Sequence, residues 1–236
     1  MNPFHVVLIT IGYLLSVFLG RLIMKLLPRF ELRTFSILHN LFLILLSLYM
    51  GVEITRQAVI NNFGLFGNGV DTSAKGVGLA NVLWVFFVSK IPEFVDTWIM
   101  VMKKNDRQIS FLHLYHHSTI FMIWWAIVYY APGGDSYLSA AMNSFVHVLM
   151  YSYYFLNAIG VKDVPWKKYI TQIQMFQFLV NLIHGLYDSI VDIPGYPKWS
   201  AQLIVVYMVT LLFLFGNFYV KNMSARRSQK VATKKD

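Results

Sequence analysis

The sequence predicts an all-α membrane protein with seven transmembrane helices, and three observations support this fold class. Hydrophobic residues make up 57 % of the chain and charged residues only 13 %, which is unlike an ordinary soluble domain. Seven apolar stretches are each long enough to cross a bilayer as a helix. Lysine and arginine are concentrated in alternate connections between these stretches, as is typical of a polytopic protein.

Glycine, proline and charged residues separate the apolar stretches, as at 28–33, 61–69 and 132–134, where turns are expected. Seven helices leave no length for a second domain, so we expect one membrane domain over residues 1–236, with a basic tail from about residue 221. The predicted spans are roughly 4–25, 36–56, 79–102, 110–130, 136–158, 169–191 and 200–220.

The charge distribution predicts the orientation of the helices. Of the 20 lysines and arginines, sixteen fall on one side of the predicted membrane, three fall on the other side, and Lys90 lies within a span. The positive-inside rule then places the N-terminus in the lumen and the C-terminus in the cytosol. The net charge of +9 therefore indicates topology and contact with anionic lipids or ligands, not with nucleic acid. The chain has no cysteine, which excludes disulfides and a thiolate nucleophile.

Three of the seven histidines stand within five residues, at the start of the predicted fourth helix. His116 and His117 follow His113 by three and four positions, so the three rings share one face of a helix. Ionisable groups inside a membrane are costly and usually functional. We call these three residues the histidine box.

Polar residues also recur at helical spacing on three other predicted helices. They face the cytosolic half of the bundle, with the stripe on the sixth helix continuing deeper, and a shared interior cavity is the simplest arrangement that keeps them from lipid. They are Lys90, Glu93, Asp96 and Thr97 on the third helix, Asn143, His147, Tyr151 and Tyr154 on the fifth, and Thr171, Gln174, Gln177, Asn181, His184 and Asp188 on the sixth.

The residues alone leave three functions open. Histidine is a common metal ligand, so the box could belong to a di-iron membrane oxygenase or desaturase, although seven histidines are few for such a site. The box could instead carry out acyl transfer, with histidine as nucleophile or general base. A proton-coupled transporter could use His184 and Asp188 as a relay, but the sequence shows no internal repeat.

Four motifs, in order, resemble those of the ELO family of fatty-acid elongases, the condensing enzymes of the endoplasmic reticulum. The resemblance extends from about Lys90 to Tyr187. The motifs are Lys90-x-x-Glu93-x-x-Asp96-Thr97, His113-x-x-His116-His117, Asn143-x-x-x-His147-x-x-Met150-Tyr151-x-Tyr153-Tyr154 and Thr171-x-x-Gln174-x-x-Gln177.

This resemblance implies that an acyl-CoA condenses with malonyl-CoA, giving a 3-oxoacyl-CoA, CoA and carbon dioxide without a metal or other cofactor. It implies six helices in a barrel around a closed-ended acyl tunnel, with the first helix outside. It also implies an endoplasmic reticulum membrane location and a reductase and a dehydratase as partners in the elongation cycle. Assembly with further copies of the chain is left open.

Together, the residues and the resemblance suggest roles. His116 would attack the thioester, His147 and Asn143 would stabilise the oxyanion or assist proton transfer, and His113 and His117 would orient the site or stabilise the enolate. Leu114 resembles the small aliphatic residue of family members that act on polyunsaturated chains. The remaining substrate-binding candidates are Glu93, Asp96, Tyr151, Tyr154, Gln174 and Asn181, with Gln177 and His184 at the tunnel neck and Lys90, Lys103, Lys104, Arg107 and Lys168 at the CoA phosphates.

Overall fold

The computed structural model describes residues 2–232, and among these it describes every side chain except those at 222 and 225–232. Within residues 2–232 the secondary structure is helical, with no β-strand. The all-α prediction is therefore confirmed for this part of the chain. Most side chains of the predicted basic tail lie outside the described residues.

Eight α-helices form seven rods, because two of the helices meet end to end. The connections include one 3₁₀ helix, Pro165–Tyr169. The helices are α1 (Pro3–Met24), α2 (Arg33–Ile60), α3 (Val77–Val88), α4 (Lys90–Met102), α5 (Phe111–Tyr130), α6 (Ser136–Ile159), α7 (Ile170–Ile190) and α8 (Lys198–Ala232).

The predicted third span is interrupted at Ser89, between α3 and α4. Pro92 explains the break, because proline lacks the N–H that would donate to the carbonyl of Val88 in a continuous helix. The Ser89 hydroxyl instead donates to the carbonyl of Phe86 at 2.7 Å. As a result Lys90 and Glu93 stand in the first turn of a new helix.

Four segments of the described chain are long and apolar enough to cross a membrane, so this is a multi-pass membrane protein. The other three rods, α5, α6 and α7, contain 20, 24 and 21 residues but carry the histidine box and the polar stripes. Seven spans therefore stay a prediction. The four segments are Pro3–Met24, Arg33–Ile60, Val77–Met102 and Lys198–Lys221.

The packing of the helices brings the polar faces together. Helix α2 packs along α6, α6 contacts α7, α7 packs along α8, and α8 contacts α5. Both α3 and α4 contact α5 and α2, while α1 packs on α4 and α5. The box helix α5 therefore has α4 on one side and α8 on the other.

Local interactions distinguish the two ends of the bundle. Ser110 caps α5 at the box by accepting from the backbone N–H of His113 at 3.2 Å. Near this end, Arg33 at the start of α2 donates to the carbonyls of Ala158 and Ile159 at 3.1 and 2.9 Å. We call this the histidine end. The opposite end, formed by the connections 61–76, 131–135 and 191–197, is called the loop end.

Candidate active site

A cavity of about 410 Å³ lies at the histidine end, between α4, α5, α6, α7 and α8. Its wall brings together all three histidines of the box and residues from each of the other predicted motifs. The predicted site residues on the wall are Glu93, Arg107, His113, His116, His117, His147, Tyr151, Tyr154 and Gln174.

Lys90 and Glu93 form a buried ion pair beside this cavity. The Lys90 Nζ lies 2.7 Å from Glu93 Oε1, and the two side chains are 2 % and 3 % exposed. Lys90 also donates to the Asn143 side-chain oxygen at 3.4 Å and lies 4.1 Å from the centre of the Phe86 ring. These contacts keep Lys90 and Asn143 behind the cavity wall, so Lys90 is not placed to contact a CoA phosphate.

His147 faces the cavity and is oriented by the same carboxylate. Its Nδ1 lies 3.5 Å from Glu93 Oε1, and the His147 side chain is buried. A carboxylate on one ring nitrogen fixes the orientation of an imidazole and favours a proton on that nitrogen. The other nitrogen, Nε2, is then available as a proton acceptor.

A chain of hydroxyl groups holds His113 in place. Its Nε2 lies 2.7 Å from Thr97 Oγ1, and Thr97 in turn lies 2.8 Å from the hydroxyl of Tyr13 on α1. The ring of His117 packs on His113 with 4.3 Å between the ring centres. Helix α1 therefore contributes indirectly to the geometry of the box.

His116 is held from α8. Its Nδ1 lies 3.0 Å from the Tyr207 hydroxyl, and the two rings are nearly parallel, with an angle of 7° between their planes. The Tyr207 hydroxyl lies 3.4 Å from the backbone carbonyl oxygen of His116. Thr119 donates to the same hydroxyl at 3.2 Å.

Asp96 supports the wall without facing the cavity. It accepts from the Tyr151 hydroxyl at 2.7 Å, and its other oxygen lies 2.9 Å from Nε2 of His39 on α2. His39 is thus a structural partner of the site. Through Asp96, three helices fix the tyrosine that lines the cavity.

Several predicted residues lie away from this cavity. Lys103 donates to Ser36 at 3.0 Å, and burial lowers the pKa of its ammonium group. Lys168 stands 4.8 Å over the Tyr169 ring. The other predicted residues that are absent from the described wall are Lys104, Gln177, Asn181 and His184.

The placement of His184 differs most from expectation. It lies at the loop end, where its Nε2 is 2.7 Å from the carbonyl oxygen of Leu65 and its Nδ1 is 3.1 Å from Asp188 Oδ2. His184 is not on the wall of the cavity at the histidine end, and its role at the tunnel neck stays a prediction. The helical stripe on α7 was identified correctly, but it runs nearly the length of the helix, so its two ends lie at opposite ends of the bundle.

Sequence reasoning missed some residues of the site. Tyr207 lies in an apolar span outside any repeated polar spacing, so the sequence carries no signal for it, and the same holds for Tyr13. Lys167, one of the sixteen basic residues on the predicted cytosolic side, also lines the cavity, as does Tyr153 of the third motif. The Tyr153 ring lies 5.4 Å from the Lys167 Nζ.

Comparison with known proteins agrees with this geometry. The model of the ELO family, described as GNS1/SUR4, matches residues 1–231. The chain belongs to the ELO family. The resemblance inferred from the four motifs is therefore confirmed, and it extends to regions outside those motifs.

Relatives in this family are named as elongases. Fatty acid elongase 6 of Leishmania major is 44 % identical over 244 residues, covering 99 % of this chain and 64 % of the relative. Very long chain fatty acid elongase 2 of Mus musculus is 39 % identical, covering 97 % and 79 %. Very long chain fatty acid elongase 5 of Tachysurus fulvidraco is 40 % identical, covering 96 % and 77 %. The chain spans just under two thirds of the Leishmania protein.

We predict that Lys90→Met lowers the thermal unfolding temperature in detergent by several degrees. Removing one partner of a buried ion pair costs about 3–5 kcal/mol because it leaves the other charge unpaired. The double variant Lys90→Met/Glu93→Gln removes both charges and should recover at least about half of the loss.

The matched control is Arg56→Met, which breaks an exposed pair with Glu53 at the same spacing and should change the unfolding temperature little. A Lys90→Met protein as stable as the wild type would contradict the importance of the buried pair.

Proposed function

We propose that this protein is a 3-oxoacyl-CoA synthase of fatty-acid elongation, which condenses a long-chain acyl-CoA with malonyl-CoA. The observation that carries the proposal is the pair of oriented histidines, His116 and His147, on one cavity wall. Membership of the ELO family supports it. The products are a 3-oxoacyl-CoA two carbons longer, CoA and carbon dioxide.

His116 is the proposed nucleophile. The backbone carbonyl of His116 can only accept, so a Tyr207 O–H directed to it leaves the Tyr207 oxygen free to accept from Nδ1–H of His116. In this tautomer Nε2 keeps its lone pair. Nε2 attacks the thioester carbon, the C–S bond breaks, and the product is an acyl-imidazole with CoA released as the thiol.

Proton transfer is the proposed role of His147. With Nδ1–H toward Glu93, Nε2 of His147 takes up the proton that His116 loses on acylation and passes it to the departing thiolate; while it is protonated, the ring stabilises the oxyanion. Lys90 keeps Glu93 ionised for this purpose.

The second half-reaction uses the same cavity. Malonyl-CoA loses carbon dioxide, and the enolate carbon attacks the acyl carbon, so the C–N bond to His116 breaks. The imidazole takes up one proton, which restores the starting state. His113 and His117, packed against each other, are the proposed contacts for the enolate oxygen, and no metal is required in either step.

The CoA moiety is proposed to bind at the mouth of this cavity. Arg107 and Lys167 supply positive charge on the wall, and clustered cations suit phosphate groups. Lys103, Lys104 and Lys168 belong to the same basic surface in the sequence prediction, and they are proposed for the more distant phosphates.

The acyl chain is proposed to run into a tunnel inside a barrel of six rods, with α1 outside. The contacts α2–α6, α6–α7, α7–α8, α8–α5 and α3/α4 with α5 and α2 support this arrangement. Leu114 favours polyunsaturated substrates. We further propose an endoplasmic reticulum location, a lumenal N-terminus, a cytosolic C-terminus and reductase and dehydratase partners.

Two alternatives find less support. A di-iron oxygenase collects histidine ligands from several boxes, whereas only four of the seven histidines line the described cavity wall. A carrier relay through His184 needs continuity along α7, whereas His184 bonds to a loop carbonyl.

The first test supplies the purified protein with radiolabelled malonyl-CoA and a panel of saturated and polyunsaturated acyl-CoAs. We expect labelled 3-oxoacyl-CoA from the wild type, most of it from polyunsaturated substrates, and less than about 1 % of that rate from His116→Ala, since the nucleophile is lost.

The matched control for this test is His5→Ala, which removes an exposed histidine on α1 and should leave the rate unchanged. Near-normal turnover in His116→Ala would contradict the assignment of the nucleophile. Absence of product from the wild type with every substrate would contradict the function.

Replacing Tyr207 by phenylalanine should lower kcat about 10- to 100-fold with little change in KM. The variant removes one hydrogen bond, worth about 1–3 kcal/mol, that sets the tautomer of His116. Steady-state kinetics measure both constants.

Tyr115→Phe is the control. The Tyr115 hydroxyl also forms a hydrogen bond to α8, donating to Thr210 at 3.0 Å, but it does not contact the histidine box. Equal kinetic effects of the two variants would show that Tyr207 has no special role.

A further inference from the structure

A second cluster of ionisable groups lies at the loop end, and the proposed mechanism uses none of it. Asp135, His184 and Asp188 are 1 %, 3 % and 3 % exposed. One ligand atom of each lies within 4.8 Å of the others. Buried charged groups require hydrogen-bond or ion-pair partners. The contacts of the three side chains therefore show which of their atoms have no partner.

His184 presents a lone pair to Asp188. Its Nε2 lies 2.7 Å from the backbone oxygen of Leu65, which can only accept, so Nε2 carries a proton. In a neutral imidazole Nδ1 is then unprotonated, and it lies 3.1 Å from Asp188 Oδ2. Two lone pairs at this distance repel each other unless a positive charge lies between them.

The two carboxylates are held differently. Asp135 accepts from the backbone N–H groups of Gly67 and Asn68 at 2.7 and 3.0 Å, and from the Asn68 side chain. Asp188 Oδ1, by contrast, is buried without a hydrogen-bond partner. Both carboxylates line a small cavity of about 10 Å³, which is room for about one water molecule or ion.

We propose that Asp135, His184 and Asp188 bind a divalent transition-metal ion of the zinc class. Two ligands of a tetrahedral zinc ion lie about 3.3 Å apart, close to the observed separation of Nδ1 and Oδ2. The Leu65 carbonyl on Nε2 and the amides on Asp135 are the outer contacts that orient metal ligands. The ion would join the 61–76 connection, the 131–135 turn and α7.

Charge balance favours a metal ion over a proton. Two carboxylates, a neutral imidazole and a divalent ion have no net charge. Burial and the nearby Asp188 raise the pKa of Asp135 to about 6, so a proton shared by these two carboxyl groups is the competing way to satisfy Asp188 Oδ1. A proton on His184 alone would leave a net charge of −1. In a buried position this remaining charge is expensive.

The test measures zinc bound to the full-length protein, purified in detergent with a tag that contains no histidine. After incubation with zinc sulfate and removal of free metal, we expect about one zinc per chain by mass spectrometry. Asp188→Asn and His184→Gln should retain less than about a tenth of that amount. Chelation should lower the thermal unfolding temperature of the wild type but not that of Asp188→Asn.

Two control variants locate the ion. Asp192→Asn changes an exposed carboxylate one turn away, paired with Lys198, and His116→Ala changes the histidine box; both should retain zinc. Zinc lost in His116→Ala and kept in Asp188→Asn would overturn the proposal. So would a zinc-free wild type whose stability a chelator leaves unchanged, since the cluster would then hold protons. The wild-type measurement decides even where a variant fails to fold.

Discussion

The buried ion pair of Lys90 and Glu93 is the interaction on which the polar half of the bundle depends. Taking both charges out of water costs several kcal/mol for each ion, which only close contact and further hydrogen bonds offset. The break at Ser89 places both residues in the first turn of α4. From there the pair reaches Asn143 and His147 on α6, so the ion pair also connects the two helices.

Hydrogen bonds from neighbouring helices likewise hold the histidine box in place. His113 is fixed through Thr97 by a tyrosine of α1, and His116 is fixed by a tyrosine of α8. Each contact occupies one ring nitrogen and fixes the orientation of the ring, so the direction of the other nitrogen is fixed as well. In an apolar bundle each hydroxyl group gives a buried imidazole a hydrogen-bond partner without adding a charge. The box is therefore a set of oriented bases, as acyl transfer requires.

The sequence predicted much of this organisation because it depends on periodic patterns. The seven apolar stretches agree with the seven rods, and helical spacing brought His113, His116 and His117 to one wall. Proline at position 92 could have indicated the break in the third stretch. Contacts across the bundle could not be predicted in this way, since neither Tyr207 nor Tyr13 stands in a pattern. Spacing also could not show that the far end of the α7 stripe meets the 61–76 connection, where His184 contacts Leu65.

The proposed acyl-imidazole on His116 can be detected directly by mass spectrometry. The wild-type protein is mixed with acyl-CoA in the absence of malonyl-CoA, quenched in acid and digested. We expect a peptide containing His116 that is heavier by one acyl group, together with released CoA. Addition of malonyl-CoA before the quench should remove this extra mass. An active enzyme with no adduct on His116, or with the acyl group on another residue, would contradict it.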